Sequence, residues 1–501
     1  MAVAGAIWNG APSAAPVAVA QHEAGSGGVH RLSGTDSGFL AMEASWQPMF
    51  NVTWAVLEPG RPLTVDDVRE HVLGRLDEMP AFRQRIVAVP GGLHHPVAVD
   101  DPAFDLDAHL HVVDVRHGPW AGLDLDTVIA RLAEEPMPTD RALWRIHLID
   151  GLPESRQVIS LHFHHAIADG TAAVALMHRL FSDEVTGPVW RGGPYAPQTP
   201  PGALRLVLGA LWTHLISVFL ILGALLGVWR GVGRLRAAKA RAEVEVPPIS
   251  EGAPLTELND AFTPARACVT VDLPLAGLRH VRKHTETTLN DVLLAVVSAG
   301  TGDYLAARDG LPERSLLCNM PVAEAPEEPV ERTSGNSFWS LTTTLATDVP
   351  DPLERLAVIA RVTGECKEQL RAFGVSTVPQ LLDVVPPALL ARGTRRVGER
   401  LREATADVDA NVLVSNVRGS DHPYELRGRT VSRIYVCGPP SNGIGCNVSA
   451  LSYGDRMLVT VLAFGDALRD PGAYGAALEA GFEELAALTG WSEESASPVA
   501  G

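Results

Sequence analysis

The run Val158-Ile159-Ser160-Leu161-His162-Phe163-His164-His165-Ala166-Ile167-Ala168-Asp169-Gly170 constrains this chain more than any other stretch. An apolar, strand-like segment enters two adjacent histidines. Four residues after the second, an Asp-Gly pair opens a helix-like run from Thr171 to Phe181. A strand that exits through a tight turn into a helix can hold an imidazole rigidly at a cavity mouth. Its ordinary pKa of about 6.5 suits removal of a hydroxyl proton near neutral pH. His165 is the candidate base. His164 precedes it in a strand-like run, where neighbours point to opposite faces, so a direct role for both is not expected.

The chain has 501 residues, too many for one small core, so two or more domains are expected. Residues 1–30 are rich in Ala, Gly, Pro and Ser and read as disordered. An N-terminal lobe is expected over 31–196, a linker over 197–254, a C-terminal lobe over 255–490 and a disordered tail over 491–501. Helix patterns follow Thr64 and cover 274–284, 289–305, 353–370 and 473–488. Strand patterns cover 143–149, 268–273, 342–345, 411–417, 431–436, 447–452 and 457–464. Strands and helices interleave in both halves, which predicts an α/β layered fold.

Leu206 to Trp229 is the most apolar stretch. As a helix it would be roughly 36 Å long at 1.5 Å per residue, long enough to cross a bilayer. Arg205 flanks one side; Arg230, Arg234, Arg236, Lys239 and Arg241 flank the other. Three readings are open: a membrane span, a monotopic surface helix or hairpin, and a crossover helix between the halves. A lone span would put the two halves on opposite sides of the bilayer, and one cavity could not then be built from both. His214, Thr213 and Ser217 also disfavour lipid burial. A monotopic helix or hairpin is therefore preferred.

The net charge of −18 argues against a nucleic-acid partner. The five cysteines form no CxxC and no zinc-ligand spacing, and read as reduced packing residues. No metal set is apparent around His162, His164 and His165. No Gly-x-Ser-x-Gly elbow offers a covalent nucleophile.

The His-His-x-x-x-Asp-Gly pattern resembles that of the coenzyme-A-dependent acyltransferase superfamily. Companion segments narrow the resemblance to the bacterial wax ester synthase/diacylglycerol acyltransferase family. These are Leu32 to Glu43, Pro80-Ala81-Phe82-Arg83-Gln84-Arg85, Leu143-Trp144-Arg145, Asn290-Asp291-Val292-Leu293-Leu294-Ala295 and Ser415-Asn416-Val417. Departures are Ala142, Arg418 and Ser420, each where family members carry proline, and Ala323-Glu324-Ala325 after Met320-Pro321-Val322.

The resemblance implies two chloramphenicol acetyltransferase-like lobes with mixed sheets and a shared central tunnel. It also implies fatty acyl transfer from acyl-CoA, as co-substrate, to diacylglycerol or a long-chain alcohol, giving triacylglycerol or wax ester. No other cofactor is called for. His165 would act directly as general base. His164, Asp169, Gly170, Asn290, Asp291 and Glu43 would support it, and Leu143, Trp144, Ser415 and Asn416 would lie along the substrate path. Asp169 reads as a helix cap or an arginine partner that shapes the loop. Gly170 reads as room for the backbone. Asn290 reads either as an N-cap or as an amide that orients the histidine or the acyl carbonyl. Asp291 reads as a helix-start carboxylate. Glu43 either orients the base or is solvated. The expected location is cytoplasmic, peripheral or monotopic at the inner face of the cell membrane or on lipid droplets. The alternatives are a carrier-protein-dependent condensation or polyketide-type acyltransferase, and a lipid-binding relative with little turnover.

Overall fold

A computed structural model describes residues 29–184, 197, 199–247, 252–259, 263–308, 310–323, 334–336, 338–374, 377–401 and 408–493. The expected disordered stretch at 1–30, all but its last two residues, and the tail from 494 onward lie outside them.

The described residues build two lobes, each on a mixed six-stranded sheet. The first sheet runs Tyr424–Leu426, Arg429–Cys437, Phe50–Leu57, Gln157–His164, Trp144–Asp150, Leu110–Asp114. The second runs Phe338–Thr344, Leu317–Ala323, Val412–Arg418, Cys446–Tyr453, Arg456–Phe464, Arg266–Pro274. A three-stranded sheet of His30–Arg31, Val97–Asp100 and Gln84–Val87 sits beside the first lobe. The α/β layering read from the sequence is therefore the observed architecture.

The histidine strand Gln157–His164 is buried along its whole length. Such burial requires cover on both faces: the apolar members of the alternating run Ile159-Ser160-Leu161-His162-Phe163-His164 are buried, and so are its polar ones, Ser160 Oγ lying 2.9 Å from His162 Nε2. It pairs antiparallel with Phe50–Leu57 on one side and with Trp144–Asp150 on the other.

Two strands of the first sheet come from the second half of the sequence. Arg429–Cys437 pairs with Phe50–Leu57. Tyr424–Leu426 returns beside it through a two-residue turn, Arg427 and Gly428, both with positive φ (54° and 73°). Only turns of this hand match the strand twist, and the left-handed Arg427 costs strain. Asp183 offsets it: its carboxylate accepts from the backbone N–H of Arg427 at 2.9 Å and of Gly428 at 3.3 Å. The hairpin thus stitches the second half into the first lobe.

The lobes are also joined directly. The Asp126 carboxylate accepts from Thr270 N at 3.0 Å, and Asp272 accepts from Arg433 Nε and from Tyr435 Oη, each at 2.6 Å.

Leu206 to Trp229 lies within one unbroken helix, Ala203–Lys239, not a hairpin. Leu206 and Ala210 pack on Val89, Val97 and Val99 of the small sheet. His214 bonds to the carbonyl of Leu93, and Thr213 Oγ1 donates to Gly209 O of its own helix at 2.9 Å. At the far end Arg234 Nε donates to Ala372 O at 2.8 Å. Both ends are therefore tied to the protein. Among the described residues no helix is long and apolar enough to cross a membrane.

Helix Gly34–Met42 is pinned under helix Thr377–Val384. Gly34 N donates to Asp383 Oδ1 at 2.6 Å, and a Cβ on Gly34 would overlap the Leu382 backbone. Gly34→Ala is expected to cost on the order of 1–3 kcal/mol by overpacking and to lower activity, because this helix carries residues that face His165. Chemical denaturation alongside turnover checks this; unchanged values for both would show that the two helices are not locked together here.

Candidate active site

The turn after the histidine strand is built from backbone bonds. His165 N donates to Met49 O at 2.8 Å, and Ile167 N to His164 O at 2.9 Å. Asp169 then caps helix Gly170–Phe181, its carboxylate accepting from Ala172 N at 3.0 Å. The expected capping role is the one it plays. Gly170 is not forced by packing: an added Cβ would meet Val417 Cγ2 at an ordinary 3.6 Å.

His164 and His165 face different surroundings. His164 is buried; its Nδ1 accepts from Ala166 N at 3.0 Å and its Nε2 lies 3.1 Å from Glu43 Oε2. Nδ1 therefore carries a lone pair and Nε2 the hydrogen that Glu43 accepts. Glu43 also accepts from Met49 N at 2.7 Å, so the carboxylate expected to orient the base holds the first histidine and the strand entrance instead.

His165 is partly exposed. Phe39 stacks on its ring at 4.0 Å and 16°. Its Nδ1 lies 3.1 Å from Asn336 Oδ1. Burial pushes its pKa down to about 4, with its own backbone carbonyl, Asp169 and the Asn336 contact working in the opposite direction. At neutral pH the ring is uncharged and able to accept a proton.

Other anticipated residues fall at varied places. The cap of helix Leu289–Ala306 is Thr288, not Asn290, and Asp291 completes a reciprocal box with it (Thr288 N to Asp291 Oδ2, 2.9 Å). The Asn290 amide donates to Met320 Sδ at 3.3 Å. Trp144 is buried between Phe82 and His109 at ring distances of 4.6 and 4.4 Å, and its Nε1 donates to Phe82 O at 2.8 Å. Leu143 is buried too, and its carbonyl accepts from His164 N at 2.9 Å. Ser415 and Asn416 lie on strand Val412–Arg418, whose Val417 approaches Gly170. Where prolines were expected, Arg418 pairs with Asp421 at 3.1 Å, and Ser420 Oγ donates to His422 O at 2.7 Å. A hydrogen-bonded turn takes the place of proline stiffness.

A cavity of about 320 Å³ borders Trp144, His109, His111, Arg145 and His147; His165 is not among the residues lining it. The five cysteines are buried, and burial raises their thiol pKa values, those of Cys318, Cys437 and Cys446 to about 12. None is a ready nucleophile.

Sequence reading missed Asn336, Phe39 and Asp36. The last two lie inside the quoted 32–43 segment, where only Glu43 was singled out. Asn336 follows a lone Ser-Gly pair that reads as loop.

Residues 32–293 match the wax ester synthase/diacylglycerol acyltransferase catalytic domain, and residues 334–486 match the C-terminal domain of the same family. The chain belongs to that family. A Mycobacterium tuberculosis relative, named as a candidate diacylglycerol O-acyltransferase, is 30% identical over 468 residues, covering 93% of this chain and 97% of its own. The wax ester synthase/diacylglycerol acyltransferase from Marinobacter aquaeolei VT8 shares the fold, with a TM-score of 0.63 at 23% identity, over 92% of this chain and 99% of that one. The first condensation domain of the calcium-dependent antibiotic synthetase shares it more distantly, with a TM-score of 0.55 at 15% identity, over 92% and 96% of the two chains.

For this acyltransferase family member, kcat/KM should stay level through neutral pH and fall only as the pH nears about 4, where His165 gains its proton. An acid limb at the ordinary imidazole value of about 6.5 would show that the essential base is a solvated group.

Proposed function

We propose that this protein transfers a fatty acyl group from acyl-CoA to the hydroxyl of diacylglycerol or a long-chain alcohol, with His165 as general base. The observation that carries the reading is a neutral, partly exposed imidazole on a rigid strand–turn–helix unit. Family membership and the names of the relatives supply the reaction class.

An alcohol is a weak nucleophile until a base takes its proton. As the hydroxyl oxygen bonds to the thioester carbonyl carbon, its hydrogen passes to the imidazole. The carbonyl oxygen becomes an oxyanion. Collapse of this tetrahedral species breaks the carbon–sulfur bond, and the CoA sulfur leaves with the proton that the imidazolium returns. Protons balance over the cycle, and no acyl-enzyme is needed.

The lowered pKa of His165 bears on timing. In the resting site, imidazolium is penalised by desolvation. In the transition state a developing oxyanion lies beside it, and the two opposite charges offset each other in a poorly solvated site. The base becomes strong only when substrate is reacting. General-base help of this kind contributes roughly 10²–10⁴-fold.

His165→Ala is expected to lower ester formation by about that factor while leaving the thermal unfolding midpoint close to that of the parent protein. Ester formation from labelled acyl-CoA, read by mass spectrometry over a panel of alcohols and diacylglycerols, checks this. Undiminished transfer by the folded variant rules out the base. Transfer from an acyl carrier protein but not from acyl-CoA would favour a condensation-type donor.

The location proposed is a lipid surface, a membrane or a droplet, touched by the outer face of helix Ala203–Lys239. Leu204, Leu208, Trp212, Leu215, Leu222 and Trp229 are each more than half exposed along it. A folded chain rarely leaves so long an apolar stripe in water. The helix carries four arginines and one lysine and no acidic residue, in a chain of net charge −18. That local sign suits anionic headgroups. Replacing Leu208 and Leu215 together by Glu should abolish co-sedimentation with anionic vesicles and leave activity on detergent-dispersed substrate unchanged. Full vesicle binding by the double variant would rule this face out.

A further inference from the structure

We propose that Asn336, held by Asp36, fixes the tautomer of His165 so that Nε2 is the nitrogen that accepts the substrate proton. This rests on His165 being the base.

The Asn336 amide Nδ2 donates to Asp36 Oδ1 at 2.6 Å and to the His165 carbonyl at 2.8 Å. Both partners are acceptors only, so the atom facing them is the nitrogen, and the orientation of the amide follows. Its oxygen is then the atom 3.1 Å from His165 Nδ1. An amide oxygen cannot donate. Nδ1 must carry the hydrogen, and in a neutral imidazole Nε2 then carries the lone pair.

Asp36 is fixed in turn. It is buried, and its other oxygen accepts from Ser33 N at 3.0 Å while its own N–H donates to Ser33 Oγ at 3.0 Å. This reciprocal cap opens helix Gly34–Met42, the helix that also supplies Phe39 to the ring face. The side of the ring is therefore set by stacking, and the hydrogen by the amide oxygen together with the His165 carbonyl, which the same amide holds through Nδ2. Asn336 arrives from the second half of the chain. Gly335 N donates to Ile167 O at 2.6 Å, and Gly335 O accepts from Asp169 N at 3.2 Å, so the catalytic turn itself grips the segment. Asn336 is a positioning residue: it acts through the imidazole and not on substrate.

The charged and titratable groups around the ring are Asp36 behind the amide, Asp169 and His164. Asn336→Asp sets a second carboxyl against Asp36. The pair can hold one shared proton across the former contact and still offer an oxygen to Nδ1. As that proton leaves, the two carboxylates repel and the arrangement opens.

The experiment measures kcat, KM, the pH profile and the melting temperature for Asn336→Ala, Asn336→Asp and His165→Ala in the full-length protein. Asn336→Ala should lower kcat on the order of 10²-fold and leave KM within about threefold, because the tautomer mixes while binding is untouched. Asn336→Asp should recover most of that loss at mildly acidic pH and lose it again as pH rises, a limb absent from the parent. Parent-like kcat in Asn336→Ala, or equal losses in both Asn336 variants at every pH, overturns the proposal. Full activity in His165→Ala instead defeats the base assignment on which it rests.

Discussion

The turn from His164 to Asp169 depends on a backbone clasp with Gly335. Two hydrogen bonds, to Ile167 O and from Asp169 N, make Gly335 of the second half part of the same turn. Gly335 has a φ of 84°, a conformation that suits glycine, and the clasp uses both its N–H and its carbonyl. An imidazole at a strand exit is common. One whose turn is closed by a distant segment cannot be complete until both halves have folded. The hairpin Tyr424–Cys437 enforces the same order from the other side of the first sheet, since it adds two strands next to Phe50–Leu57. The turn that carries His165 is thus one that neither half can build alone.

Much of this was legible in the sequence because the local signals agree with the fold. The strand–turn–helix around His165, the helices after Thr64, Pro274 and Thr288, and the strands at 412–418, 429–437, 446–453 and 456–464 all follow their hydrophobic periods. What was not legible is pairing across distance. Arg429–Cys437 ends in the β-prone run Ile434-Tyr435-Val436, and nothing in its residues says which sheet it joins. Phe50–Leu57 passed unread although Phe50-Asn51-Val52-Thr53-Trp54 alternates apolar and polar residues. Asn336 passed unread because a single polar residue after glycine carries no pattern. Its meaning comes only from Asp36, 300 positions away.

The long helix shows a different ambiguity. Its sequence is apolar on nearly every side, so periodicity cannot tell a membrane span from a crossover. The fold divides that surface. Leu206 and Ala210 cover the small sheet, Arg234 and Gly231 meet the end of helix Pro352–Phe373, and Leu204, Leu208, Trp212, Leu215, Leu222 and Trp229 face outward. A single span would part the two halves, whereas the clasp at Gly335 joins them, and a helix bonded to the protein at both ends is compatible with that clasp. The polar residues that counted against lipid burial do so differently than expected: Thr213 bonds within its helix, and His214 reaches the Leu93 carbonyl.

Two adjacent histidines are not two copies of one function. Each ring has its hydrogen placed by a different neighbour. The Ala166 N–H gives its hydrogen to His164 Nδ1, which drives the ring hydrogen to Nε2 and toward Glu43. The Asn336 oxygen takes a hydrogen from His165 Nδ1, the opposite arrangement. Exchanging the two environments would move the hydrogen of the outer ring from Nδ1 to Nε2. The inner histidine directs its donor to Glu43, and Glu43 in turn accepts from Met49 N, while the Met49 carbonyl receives His165 N. The first histidine thus braces the turn that carries the second. Desolvation makes this division worth having: a ring whose charged form is disfavoured at rest responds sharply to an oxyanion, but only if its lone pair already points where that charge will form.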